Sequence, residues 1–186
     1  MPRLGNTAIS FKDAGATTDH ATARYPYGQI RVEETSATRG CETFRYTTFD
    51  NGAGNIAAAA GAIAYRGDTQ ANFWDVTSDV SDVDAAFAAG VFQNAITDAR
   101  KGWIKTQGYE ASLKKKTGTG FAWVKGDYLS AAPSATDDGK ARNIKIAATT
   151  KVSGAEIRLI LERNVGFAAA AASSTTATGA AYIDLE

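Results

Sequence analysis

The stretch of residues 89–129 constrains the fold most, because it consists of short apolar runs separated by Gly, Asp and Thr. Four runs rich in Val, Ile, Trp, Tyr and Phe follow one another, at residues 90–96, 102–107, 109–113 and 121–124. Runs of this length and composition are typical of β-strands. In the second run Trp103 and Lys105 alternate with Ile104 and Thr106. That alternation predicts an antiparallel sheet with one wetter face.

The remaining chain repeats this pattern and predicts further short strands. Residues 42–49 alternate most clearly, with Phe44, Tyr46 and Thr48 on one face. Other strands are predicted at residues 29–33, 73–77, 143–149 and 156–163. The Ala-rich residues 56–65 have helix propensity, but Gly61 interrupts them. The fold class is therefore all-β, a small antiparallel β-barrel or sandwich of about eight to eleven strands.

Both ends of the chain are rich in Ala, Ser and Thr and have no helical stripe. We predict an N-terminal arm at residues 1–24, a β-rich domain at residues 25–165 and a C-terminal arm at residues 166–186. Scattered apolar residues are the candidate anchors through which these arms contact a partner or a neighbouring copy: Leu4, Ile9, Phe11, Phe167, Tyr182, Ile183 and Leu185.

The charge balance disfavours nucleic acid and membranes as partners. The chain has 20 Lys and Arg against 20 Asp and Glu. Its one basic run, Lys114-Lys115-Lys116, is expected to form a charged hairpin tip, and the alternative is a contact with an acidic patch on a partner. No stretch approaches the roughly 20 apolar residues of a membrane span. The first residues also lack the apolar core of a secretory signal.

Motifs for catalysis or metal binding are weak. The single histidine, His20, and the single cysteine, Cys41, lie far apart, and no nucleophile motif or paired Cys ligands occur. Asp79, Asp82 and Asp84 lack the Gly and distal Glu of a calcium loop, which favours a solvated acidic turn. We therefore expect no enzyme, no cofactor and no metal. A glycosidase can place its two acids anywhere in a β fold, so that class stays open.

Three further patterns have ordinary interpretations. Residues 117–120, Thr-Gly-Thr-Gly, lack the order of a phosphate loop and predict a turn. Residues 66–68, Arg-Gly-Asp, match an adhesive tripeptide, yet a turn explains them equally. Six rings offer an aromatic platform for carbohydrate if they are exposed and coplanar, and core packing if they are buried: Tyr25, Tyr27, Trp74, Trp103, Tyr109 and Trp123.

The order of motifs in the central stretch points to a family. AGV at residues 89–91, NAI at 94–96, GWIKTQG at 102–108 and GDYL at 126–129 precede an apolar run at residues 155–161. Over about residues 25–165 this order resembles the core pattern of tailed-phage head decoration (capsid cement) proteins. The resemblance implies a strand at residues 61–66, where the Ala-rich composition favours a helix, and we follow the resemblance.

The resemblance implies a non-enzymatic virion protein on the outer surface of the phage head. Its partner would be the major capsid protein, and it would commonly form a trimer that bridges capsomers at three-fold positions. A tail or baseplate structural protein is the alternative within this class, and a carbohydrate-binding β-sandwich module is the alternative outside it.

Overall fold

The computed structural model describes residues 19–36, 40–66, 74–82, 87–132, 134–144 and 164–185. These residues are almost entirely β, which confirms the predicted fold class. The strands are β1 (Ile30–Ser36), β2 (Gly40–Phe49), β3 (Ile63–Arg66), β4 (Asp75–Thr77), β5 (Ala88–Phe92), β6 (Lys101–Lys114), β7 (Tyr128–Ala131), β8 (Ala141–Ile144), β9 (Asn164–Ala168) and β10 (Thr178–Asp184). Two short 3₁₀ turns, Val80–Asp82 and Ala135–Asp137, lie between them.

All ten strands belong to one sheet in the order β1-β2-β4-β3-β5-β6-β10-β9-β7-β8. β6 pairs with β2 as well as with β5, so five strands form a closed ring: β2, β4, β3, β5 and β6. β2 and β4 pair in parallel and the other pairings are antiparallel, so the sheet is mixed rather than wholly antiparallel. β10, β9, β7 and β8 extend from the ring on the far side of β6.

Each strand of the ring contributes to one apolar cluster. Phe49, Val76, Phe92 and Ile104 come from β2, β4, β5 and β6, and Ala64 comes from β3. The rings of Phe49 and Phe92 meet edge to face, with centroids 5.5 Å apart.

The opposite faces of β3 and β5 pack against the strands outside the ring. Ile63, Tyr65 and Val91 join a second cluster that includes Leu129 of β7 and Ile183 of β10. β3 is therefore buried on both faces, which explains its continuous apolar sequence and its strand conformation despite the Ala-rich lead-in.

β6 is one strand of 14 residues, although its sequence predicts two runs with a break. Gly108 lies between the runs with a φ of +114°, which glycine alone adopts easily, and it carries the chain onward into pairing with β10. In the first half Trp103, Ile104, Lys105 and Thr106 are all buried, so the predicted wetter face is wrong there. Both faces are covered because this half belongs to the ring and also lies under residues 19–28.

The predicted C-terminal arm is wrong. Residues 164–185 supply β9 and β10, and β10 lies between β6 and β9 inside the sheet. The strand pattern is short but complete, with Ala181 and Ile183 buried and Tyr182 and Asp184 exposed. The β domain therefore extends to at least Leu185 instead of ending at residue 165.

Several local predictions need adjustment. Residues 121–124 make one isolated bridge, Trp123 to Ala172, instead of a strand. The predicted strand at residues 143–149 corresponds to β8, which begins two residues earlier, at Ala141, and is described as far as Ile144. The predicted strand at 156–163, the run at 155–161, most of the Arg-Gly-Asp motif and residues 1–18 lie outside the described residues.

Candidate functional site

One aromatic side chain from each of four neighbouring strands lies on the outer face of the sheet. We call these four side chains the aromatic row: Tyr109 of β6, Tyr182 of β10, Phe167 of β9 and Tyr128 of β7. Each is the direct cross-strand partner of the next. Ring centroids are 5.6 Å apart for Tyr109 and Tyr182 and 5.1 Å apart for Tyr128 and Phe167. The row is therefore a continuous apolar strip across four strands.

The row faces outward because alternate residues of the same strands fill the core. Leu129, Ala181 and Ile183 are buried, whereas Tyr182 is 50% exposed and Tyr128 is 40% exposed. Tyrosine combines an apolar ring with a hydroxyl group, and aromatic residues are enriched where proteins bind one another. The surface is thus suited to docking against another macromolecule.

The structure places the predicted anchor residues in different environments. Phe167 and Tyr182 belong to the aromatic row, and Tyr182 is exposed as an anchor requires. Ile183 is only 2% exposed, so it stabilises the core and cannot serve as a surface anchor. Leu185 is half-buried against the same core, and its role as an anchor stays a prediction. Leu4, Ile9 and Phe11 lie outside the described residues.

Sequence reasoning missed Tyr109 and Tyr128 as members of one surface. Each stands at an outward position of a strand, but only the strand order brings them into line with Tyr182. The pairing of β10 with β6 joins segments about 70 residues apart in sequence, and no local pattern reveals it.

The six-ring platform does not form. Trp103 and Trp123 are 0% and 2% exposed, so both are core residues. The rings of the aromatic row are tilted by 65° between Tyr109 and Tyr182 and by 55° between Tyr128 and Phe167. The outer face therefore lacks the coplanar rings on which the carbohydrate interpretation depends.

A buried ion network lies where the ring meets the extended sheet. The Lys105 ammonium lies 3.3 Å from Glu42 Oε2 and 3.2 Å from Glu110 Oε2, and it donates to the Tyr109 carbonyl at 2.7 Å. Gln93 donates a further hydrogen bond to Glu110 at 3.2 Å. One ammonium thus bridges two carboxylates, and its three donors all have acceptors. This network ties Lys105 and Glu110 of β6 to Glu42 of β2.

Residues 19–28 cross the outside of β2 and β6, and we call them the N-terminal strap. The His20 nitrogen donates to the Lys101 carbonyl at 2.7 Å, and the Lys101 nitrogen donates to the His20 carbonyl at 2.9 Å. At the other end the Gly28 nitrogen donates to the Tyr46 carbonyl at 2.8 Å. Between them Tyr25 packs on Tyr46 and Trp103, with ring centroids 5.3 Å and 5.2 Å apart. The strap therefore covers the two fully buried rings Tyr46 and Trp103.

The His20 side chain belongs to the strap and is only 4% exposed. Its Nδ1 lies 3.0 Å from the Tyr46 hydroxyl, which also accepts the Arg24 backbone N–H at 3.3 Å. Burial lowers the pKa of His20, the Arg24 charge lowers it further, and Asp19 opposes them. Burial also raises the pKa of Tyr46, which keeps the hydroxyl neutral.

Two other charged side chains, Asp79 and Lys115, are buried although the sequence predicts them at the surface. Asp79 is 1% exposed instead of solvated and accepts hydrogen bonds from Ser81 and the Gly54 nitrogen. Burial alone would raise the pKa of Asp79, but these hydrogen bonds outweigh burial and hold it below the ordinary value. In the supposed basic tip Lys115 is 1% exposed and lies over the Trp123 ring, and burial lowers its pKa. Sequence type alone places such groups at the surface, so only the fold reveals their burial.

Within the described ranges, no group of three or more His, Cys, Asp or Glu side chains is arranged to hold a metal ion. The same residues include no helix long and apolar enough to cross a membrane. No known family model matches this chain, and no curated protein matches it in sequence.

Proposed function

We propose that this chain is a non-enzymatic virion protein that binds and stabilises the outer surface of a phage capsid, as decoration proteins do. The order of motifs in residues 89–129 supports the family, and the aromatic row is the observation that carries the binding role. Two of its rings, Tyr109 and Tyr128, come from that same central stretch. The proposal thus links the resembling segment to an exposed surface.

The physics of a capsid lattice fits such a surface. A thin shell under pressure from packaged DNA gains strength when a further protein bridges adjacent capsomers. An exposed strip of tyrosines buries apolar area on docking while its hydroxyls keep hydrogen bonds at the rim. The equal numbers of acidic and basic residues keep long-range repulsion from the lattice small.

Oligomerisation is part of the proposal. A homotrimer at the three-fold positions presents three aromatic rows to one lattice site, so contacts that are weak singly combine through effective concentration. The partner is the major capsid protein, and neither nucleic acid nor membrane is involved.

Co-sedimentation with expanded, empty heads of the parent phage tests the proposal. We expect the protein to bind at a saturating ratio that matches the three-fold positions. The double variant Tyr128→Ala with Tyr182→Ala should bind about tenfold more weakly or worse, because aromatic anchors dominate docking energies. Val32→Ala is the matched control, since Val32 is 61% exposed on β1 at the opposite end of the sheet order.

The outcomes separate the alternatives. Absence of binding to heads would reject the decoration role, and binding to purified tails would then identify a tail or baseplate protein. Retention on a glycan array in place of either would favour the carbohydrate module. Binding to heads that is equal in the row variant and the control would keep the role but remove the aromatic row from the interface.

A further inference from the structure

His20 joins the N-terminal strap to two strands of the domain, through its backbone and through its imidazole. His20 supplies the backbone bridge to Lys101 at the start of β6, and its side chain meets the Tyr46 hydroxyl on β2. Without those contacts the strap keeps Tyr25 on the Tyr46 and Trp103 rings and the backbone bonds at Gly28. The His20 site therefore controls the N-terminal half of the strap.

The surroundings of His20 accept a neutral imidazole and oppose a charged one. Its Nε2 is buried and has no hydrogen-bond partner among the described residues. In the neutral tautomer whose Nδ1–H donates to the Tyr46 hydroxyl, Nε2 carries no proton. An imidazolium carries a proton on both nitrogens, so charging this tautomer leaves a buried Nε2–H without an acceptor. The proton would also arrive beside the positive charge of Arg24.

Other charged groups packed against this site do not compensate. Asp19 is the nearby acid, but it is engaged by the Arg100 guanidinium at 3.5 Å and by the Thr97 nitrogen at 3.5 Å. The Lys101 ammonium, at the start of β6, donates to the Ala21 and Ala99 carbonyls. Tyr46, from β2, is neutral, and the Tyr25 ring lies with its centroid 6.2 Å from that of the imidazole. The Arg24 charge thus opposes a charged imidazole, and the acid that favours it, Asp19, is already engaged by Arg100.

We infer that His20 is a proton-sensitive latch: protonation of its imidazole releases the N-terminal half of the strap from β2 and β6. The inference concerns the free protein and does not rest on the capsid proposal. In the open state the strap stays attached through the Tyr25 ring and the backbone bond at Gly28.

The pH window follows from proton linkage. The pKa of His20 is lower with the strap closed than the ordinary 6.5 expected when it is open. The closed state is therefore favoured above pH 6.5, and that preference is lost as the pH falls through the lower, closed-state value. Between those two pKa values the equilibrium constant for opening of the strap rises by up to about tenfold for each unit by which the pH falls.

Nuclear magnetic resonance of the full chain provides a clean test, because the protein has a single histidine. We expect the one imidazole Cε1–H signal to titrate with a midpoint below 6.5. Hydrogen exchange of the Lys101 amide, which donates to the His20 carbonyl, reports opening. After correction for intrinsic exchange, opening should increase as pH falls, while amides of Ile104 in the core stay protected.

Two variants complete the test. His20→Phe keeps an aromatic ring but cannot be protonated, so opening at Lys101 should lose its pH dependence. Tyr46→Phe keeps the imidazole but removes its hydrogen-bond partner, so opening should increase at every pH. An imidazole midpoint at or above 6.5, or the same pH-dependent opening in His20→Phe, would overturn the latch. If His20→Phe does not fold, unchanged opening in Tyr46→Phe would overturn it instead.

Discussion

Gly166 shows how one residue fixes the packing of two strands. Its φ is +139°, and a Cβ at this position would lie 1.8 Å from the Tyr182 carbonyl oxygen on β10. Gly166→Ala should therefore lower the free energy of unfolding by more than about 4 kcal/mol, because the methyl group forces β9 and β10 apart. Gly120→Ala is the control, since Gly120 also has a positive φ but nothing within 4 Å, and it should cost about 1–2 kcal/mol. Urea unfolding followed by tryptophan fluorescence measures both, and equal losses would show that backbone strain alone matters.

β6 is the element that joins the ring to the extended sheet, and its Lys105 is paired with Glu42 of β2. Lys105→Met leaves Glu42 and Glu110 buried without a counter-charge, which should cost about 3–5 kcal/mol of unfolding free energy. Glu110→Gln should destabilise the wild-type protein but stabilise the Lys105→Met protein, since it then removes an unpaired charge. Denaturant midpoints of the two single variants and the double variant give this comparison. Simple addition of the two single losses would indicate that the three groups do not act as one network.

The whole molecule depends on β10, which pairs with β6 on one side and β9 on the other. A chain truncated after residue 177 lacks β10 and should lose cooperative unfolding. The loss of β10 leaves the edges of β6 and β9 unpaired and removes Ala181 and Ile183 from the core. A chain truncated after Leu185 retains every described strand and should melt as the full protein does. Circular dichroism against temperature distinguishes them. A cooperative transition in the shorter chain would mean that the ring folds without the strands beyond β6.

At this scale the sequence predicts where most strands lie, but it does not predict which strands pair with one another. Alternation identifies β2, whereas β3 is indicated by the family resemblance against its local helix propensity. β10 was not predicted because several of its residues are small. Ala181 and Ile183 nevertheless alternate with Tyr182, as in any half-buried strand. Composition suggested an arm because Ala and Thr carry little apolar area. The burial of Lys105 and His20 depends on partners from distant segments, which residue type and local spacing do not encode.

The central position of β10 also has a consequence for synthesis. Ribosomes make β6 and β9 before β10, yet each of these strands finds a partner in β10. While the nascent chain waits for residues 178–184, those two strands present unpaired edges and the apolar inner face of the sheet. Exposed edges of this kind are where chains associate wrongly. The nascent protein is therefore most vulnerable to aggregation just before its last described strand emerges, and a chaperone that shields those edges would raise its yield most at that moment.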